Sequence, residues 1–162
     1  MSGAVAGCWG ICGGYQMLGR SIADPDGIEG PPETVSGLGL LRVDTVMLAD
    51  KTLREGTGIR ISNGAPFQGY EIHAGATSVG SLPLLRMADG RDEGAVSADG
   101  RVAGCYIHGL FNLASQRRGW LDGASNGIDQ DAAVDAALDD LATALERHVS
   151  VDRLLAIAGQ AA

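Results

Sequence analysis

Residues 10–16 read Gly10-Ile11-Cys12-Gly13-Gly14-Tyr15-Gln16, a cysteine set between an apolar run and a segment with helical spacing. Ala4 to Ile11 reads as a short strand, apolar on both faces, and Tyr15, Leu18 and Ile22 then share one helical face. Cys12 therefore falls at a strand-to-helix corner. Such a corner exposes the sulfur at the end of a sheet, beside a helix N-terminus whose dipole favours a thiolate. It also turns the next backbone N–H toward a reacting carbonyl, as in the nucleophile elbows of hydrolases. Gly10, Gly13 and Gly14 supply the small residues that a strained turn of this kind requires. The chemistry on offer is attack of a thiolate on a carbonyl carbon. The same spacing also fits a core cysteine ahead of an ordinary glycine turn.

A thiolate nucleophile needs a base. Of the histidines, His148 comes near the end of a tail helix, where solvent or the helix C-terminus is its expected partner. His108 follows Cys105-Tyr106-Ile107 and precedes Gly109, so it ends a strand, where catalytic side chains of α/β sheets collect. His73 lies in Gly69-Tyr70-Glu71-Ile72-His73. By strand alternation it shares a face with Glu71, while Tyr70 and Ile72 share the other. For His73 and His108 alike, a hydrogen-bonded structural role stands beside a catalytic one.

The elements that must position these groups follow from pattern. Residues 24–37 are rich in Pro and Gly and read as a loop. Leu38 to Leu48 reads as a long strand in which Val43, Thr45 and Met47 alternate with Asp44 and Val46. Strands at 58–62 and 67–77 are separated by Asn63-Gly64, and Ala95–Ser97 and Val102–Ile107 flank Asp99-Gly100, two hairpin signals. The tail is helical, with Val134, Leu138, Leu141 and Leu145 at helical spacing and a last short helix opening at Ser150. Strands first and helices last, around one strand–Cys–helix unit, give an α/β fold class.

Composition narrows the partners. The 162 residues suffice for one domain, with 45% hydrophobic residues and a net charge of −8. No Lys/Arg cluster offers a phosphate-binding face, which argues against nucleic acid. No apolar run reaches membrane-spanning length. Three cysteines make an odd count. That disfavours a disulfide framework and fits a reducing cytoplasm, while the spacings offer no second ligand pair for a metal.

The segment Gly-x-Cys-x-Gly-x-Gln, met at Gly10, Cys12, Gly14 and Gln16, resembles the nucleophile segment of class I (triad-type) glutamine amidotransferases. The longer string through Met17-Leu18-Gly19 is similar to the cobyric acid synthase branch. So are Gly27–Gly30, Gly37–Leu41, Gly69–His73, Ser97–Val102 and Tyr106–Phe111, in that order.

The resemblance implies a glutaminase domain that hydrolyses glutamine through a cysteinyl thioester. Its ammonia would pass to an N-terminal synthetase domain, which uses ATP and Mg to amidate corrinoid carboxylates in cobalamin biosynthesis. It implies Cys12 as nucleophile, His108 as base, Gly13 N–H as an oxyanion donor and Gln16 as a glutamine contact. Tyr70, Glu71 and His73 become candidates for supporting the site. Leu110 stands two residues after His108, where many class I enzymes carry a Glu; the cobyric acid synthase branch is similar in lacking it. Ala74-Gly75-Ala76-Thr77 stands where the family usually reads Met-Gly-Arg-Thr.

The chain opens close to the elbow. On this reading, residues 1–162 are a single partial amidotransferase domain without its first strands and helices and without the synthetase domain. The isolated chain is then expected to be a poor enzyme, with self-association through the truncated sheet. Two alternatives are a glutaminase subunit of a peptidoglycan-precursor amidating ligase and a degenerate, non-catalytic binding module.

Overall fold

The computed structural model describes residues 7–121 and 130–159. They fall into two compact units, divided after Phe111. The first unit carries β1 (Cys8–Ile11), α1 (Gly13–Leu18), β2 (Ser21–Asp24), β3 (Glu33–Ser36), β4 (Val43–Arg60) and β5 (Pro66–Val79). β6 (Leu85–Met87), β7 (Asp92–Glu93), β8 (Ala95–Val96), β9 (Val102–Cys105) and β10 (Ile107–His108) complete it. The fold is mixed α/β.

One sheet has the order β1-β9-β8 and the other β10-β5-β4-β2-β3, with β6 on β4 and β7 on β6. β1 runs parallel to β9, Cys8 against Val102 through Ile11 against Cys105, and has no other partner among the described residues. Ala4 to Ala6, read as part of this strand, lie outside the described residues. Cys8 is exposed, so the strand is not covered along both faces as its apolar sequence suggests.

β4 and β5 form the long hairpin turned at Asn63-Gly64, paired from Val43 with Val79 to Ile59 with Pro66. Val43, Thr45 and Met47 face inward, as their alternation predicts. The strand begins at Val43, not at Leu38. A register shift between Val46 and Lys51 then changes which residues face inward, so that Arg54 reaches Glu71. The second hairpin signal also holds: β8 pairs with β9, Ala95 against Gly104 and Val96 against Ala103.

The pattern misleads at Ile22. Tyr15 and Leu18 are buried on α1, but the helix ends at Leu18 and Ile22 belongs to β2. Arg20 N–H donates to Val43 O at 2.8 Å, and β2 pairs with β4 and β3. Sheet pairing outweighs a helical period only two turns long. The same pairing makes β3 out of residues read as loop.

The core beneath α1 gathers Tyr15, Leu18, Leu41, Val43, Ala95 and Tyr106. The second unit is helical: α2 (Ala114–Trp120), α3 (Gln130–His148) and α4 (Val151–Gly159). Ser150 Oγ accepts the Arg153 N–H and starts α4. The Val134, Leu138, Leu141 and Leu145 stripe is exposed, and no described residue of α3 or α4 is buried.

Candidate active site

Cys12 joins β1 to α1 with φ 54° and ψ −120°, and it is the one described non-glycine residue with positive φ. A side chain held there costs on the order of 1–3 kcal/mol, and such strain collects at functional sites. Local bonds enforce it. Cys12 N–H donates to Cys105 O at 3.0 Å, and Cys12 O accepts from Tyr15 N–H and Gln16 N–H at 2.9 and 3.2 Å.

Gly10 is required by close approach. A Cβ there would lie 2.6 Å from both Gly14 O and Leu18 Cδ1. Gly13 and Gly14 are not required in this way, because a Cβ on either would meet open space. The corner is tight on the strand side only.

The half-buried Cys12 thiol donates to Ile72 O at 3.3 Å. β10 lies along the same strand, His108 paired with Tyr70 and Ile107 with Glu71. The His108 ring stacks on Tyr70, centroids 5.1 Å apart and planes 11° from parallel. Strand β5 thus carries the thiol contact at Ile72 and the imidazole contact at Tyr70, two residues apart. No hydrogen bond joins Cys12 to His108, and His108 Nε2 is buried without a partner. Catalytic hydrogen bonds are often open until substrate binds. Leu110 is fully buried and offers His108 no polar contact.

His73 is turned elsewhere. Its Nε2 meets Glu71 Oε1 at 2.9 Å, its Nδ1 meets Gly75 O at 3.1 Å, and its ring stacks on Tyr106 with centroids 3.7 Å apart. Glu71, buried, also accepts from Arg54 Nε at 2.7 Å and Arg91 Nη2 at 2.9 Å. Burial alone would raise the Glu71 carboxyl. Hydrogen bonds from Arg54 and His73 and the Arg91 charge outweigh it and hold the group at about 2.

Gln16 Nε2 donates to Ala74 O at 3.1 Å and to Tyr106 OH at 3.2 Å. The Ala74–Thr77 departure thus meets α1 through a backbone carbonyl, which the change of side chains leaves intact.

Beneath His73 an open cavity of about 160 Å³ is lined by Tyr15, Glu71, Arg91, Glu93 and Tyr106 among others. Glu93 Oε1 accepts Tyr106 N–H at 2.9 Å, while Oε2 and Tyr15 OH are buried without partners. Burial pushes the Glu93 carboxyl up to about 7 and raises the Tyr15 hydroxyl and the Cys105 thiol further. Tyr106, Arg54, Arg91 and Glu93 escape sequence reasoning, since each meets a partner far away in the chain that only the fold brings near. His148 ends α3, exposed, in the second unit. No cluster of three possible metal ligands occurs among the described residues, and no described helix is long and apolar enough to cross a membrane.

The unit is thus a mixed α/β fold that holds a strained cysteine between a strand and a helix. The chain belongs to the CobB/CobQ-like glutamine amidotransferase domain family, which matches residues 3–115. Over 154 residues it is 51% identical to cobyric acid synthase of Methylocella silvestris and 56% to that of Methylobacterium nodulans. It is 51% identical over 154 residues to cobyric acid synthase of Novosphingobium aromaticivorans. These matches cover 92% of this chain and 31–32% of the relatives, so the chain spans about a third of their length.

Proposed function

We propose that the chain is the glutaminase portion of a cobyric acid synthase. It would release ammonia from glutamine for ATP-dependent amidation of corrinoid carboxylates. The observation that carries this reading is the backbone of Cys12, a non-glycine residue held at φ 54° where strand meets helix.

In this mechanism His108 takes the Cys12 proton and the sulfur attacks the side-chain carbonyl carbon of glutamine. The carbonyl oxygen gains the negative charge and faces Gly13 N–H, one of the helix-start donors that lack an intrahelical acceptor. The C–N bond breaks as His108 returns its proton to the leaving nitrogen, and ammonia departs. Water, losing a proton to His108, hydrolyses the thioester to glutamate and restores the thiol. Support for His108 as base comes from its unpartnered Nε2 and its place on β10, which pairs with β5, the strand whose Ile72 O accepts from the thiol. Tyr70 holds the ring by stacking. ATP, Mg and corrinoid are assigned to the part of the relatives that this chain does not span.

A glutamine-analogue electrophile tests the reading. It is expected to label Cys12 and spare the exposed Cys8 and the buried Cys105. Labelling that is uniform, or that persists in Cys12→Ala, would overturn it and leave the non-catalytic module. Stimulation of ammonia release by a corrinoid with a synthetase partner, and not by a lipid-linked precursor, separates it from the peptidoglycan alternative.

A further inference from the structure

Cys12 and His108 hang on different sheets. Cys12 N–H donates to Cys105 O at the end of β9, so the corner belongs to the sheet β1-β9-β8. His108 lies on β10, which pairs with β5 in the other sheet. How far the imidazole stands from the sulfur is therefore a matter of how the two sheets are joined.

The chain passes between these sheets at two neighbouring points. It crosses at Gly94, from β7 to β8, and returns at Tyr106, from β9 to β10. At such a crossing the strand ladder is interrupted, and a buried backbone N–H needs another acceptor. Tyr106 N–H finds it in Glu93 Oε1 at 2.9 Å, with both residues buried. The two crossings also press together directly. A Cβ on Gly94, where φ is 69°, would lie 2.5 Å from Gly104 O and 2.9 Å from Cys105 Cβ. Glu93 thus clasps one crossing to the other. The clasp closes on the residue that follows the Cys105 carbonyl and precedes β10.

β10 has little else to hold it. It spans Ile107 and His108 only, paired with β5 alone among the described residues. A buried Tyr106 N–H deprived of its acceptor is costly, and the chain relieves the cost by moving the segment that carries His108. Cys12 and Gln16 do not depend on Glu93 in this way. Cys12 is fixed by its own backbone bonds to Cys105, Tyr15 and Gln16, and the Gln16 amide is held on Ala74 O.

We propose that Glu93 is a positioning residue for His108: by clasping Tyr106 it sets the imidazole relative to Cys12 without touching the reacting atoms. This rests on the glutaminase reading above.

The test uses a chloroketone analogue of glutamine. The Cys12 sulfur bonds to the chloride-bearing carbon, chloride leaves, and the thiol proton passes to His108. Labelling of the Cys12 peptide is followed by mass spectrometry against probe concentration, which gives a maximal rate and a half-saturating concentration. Glu93→Leu removes the acceptor and should lower the maximal rate on the order of ten- to a hundredfold, the effect of a misplaced catalytic group. The half-saturating concentration should stay the same. Glu93→Gln keeps an acceptor oxygen and should restore the wild-type rate. A merely structural defect would instead reduce the labelled fraction or raise the half-saturating concentration. The His108 ring signals in 15N spectra should move in Glu93→Leu and stay in place in Glu93→Gln. Glu93→Asp, which draws the carboxyl back by one methylene, should match Glu93→Leu and stands in if that variant fails to fold. A wild-type chain in which the probe does not select Cys12 overturns the glutaminase reading and this assignment with it. Selective wild-type labelling with an unchanged maximal rate in Glu93→Leu and Glu93→Asp, or with Glu93→Gln as slow as they are, overturns the role of Glu93 alone.

Discussion

Glu93→Gln should reverse part of the pH dependence of stability in the first unit. In the unfolded chain this carboxyl titrates near 4.5; in the fold, burial and the facing Glu71 carboxylate push it up to about 7. Tyr106 N–H and the Arg91 charge oppose the rise without cancelling it, and Tyr15 and Cys105 are the other titratable groups that feel its charge. An acid whose pKa is raised by folding contributes stability that is complete below its unfolded pKa. That stability is lost as pH climbs through the folded value. At about 1.4 kcal/mol per pH unit, the loss between pH 4.5 and pH 8 amounts to about 3 kcal/mol.

Gln keeps the acceptor for Tyr106 N–H and carries no charge to bury. Urea unfolding of both proteins can be followed through Trp9 fluorescence, with Trp120 replaced by Phe in each. The stability difference should move in favour of the variant by about 3 kcal/mol from pH 4.5 to pH 8. Parallel stability curves across that range would show that Glu93 is solvated or paired in solution and would refute the reasoning.

Gly10→Ala forces a Cβ to 2.6 Å from Gly14 O and Leu18 Cδ1 and should cost about 1–3 kcal/mol. Gly13→Ala, facing open space, should melt as the wild type does; equal losses for the two would undo the account of the corner. Glu71 titrates in the opposite sense from Glu93. Its depressed pKa contributes stability present above pH 4.5 and lost as pH falls toward 2. After screening at the half-exposed Arg54 the contribution is about 1–2 kcal/mol, so Glu71→Gln should be the weaker protein at pH 7 and its equal near pH 2. Acid titration of both proteins by circular dichroism checks this. Tyr70→Ala should lose about 1 kcal/mol of stacking and slow the labelling of Cys12 by a glutamine analogue, while Tyr70→Phe changes neither. Undiminished labelling in Tyr70→Ala would remove Tyr70 from the site.

The residues that do local work could be read directly. Gly10 and Cys12 announce a strained corner because the demands of such a turn are met within a few bonds. The hairpins at Asn63-Gly64 and Asp99-Gly100 are equally local. Alternation placed Val43, Thr45 and Met47 inward, and it put Glu71 and His73 on one face of β5, where they do meet. The resemblance of five ordered segments to one amidotransferase branch is likewise a property of the string, and the family match agrees with it.

Tertiary structure decided the rest, because the remaining contacts are set by register between strands far apart in the chain. The helix ends at Leu18 because the chain beyond Gly19 is drawn into pairing with β3 and β4. The irregularity after Val46 turns Arg54 toward Glu71; one residue of slip would send that guanidinium to solvent. Pairing of β10 on β5 sets His108 against Tyr70, and the same strand offers Ile72 O to the thiol. The sequence names Cys12, His108 and Gln16 as candidates, but the orientation of the Gln16 amide depends on the Ala74 carbonyl, far along the chain. No local rule carries that information: a polar group takes its orientation from whichever donors and acceptors the fold brings to it.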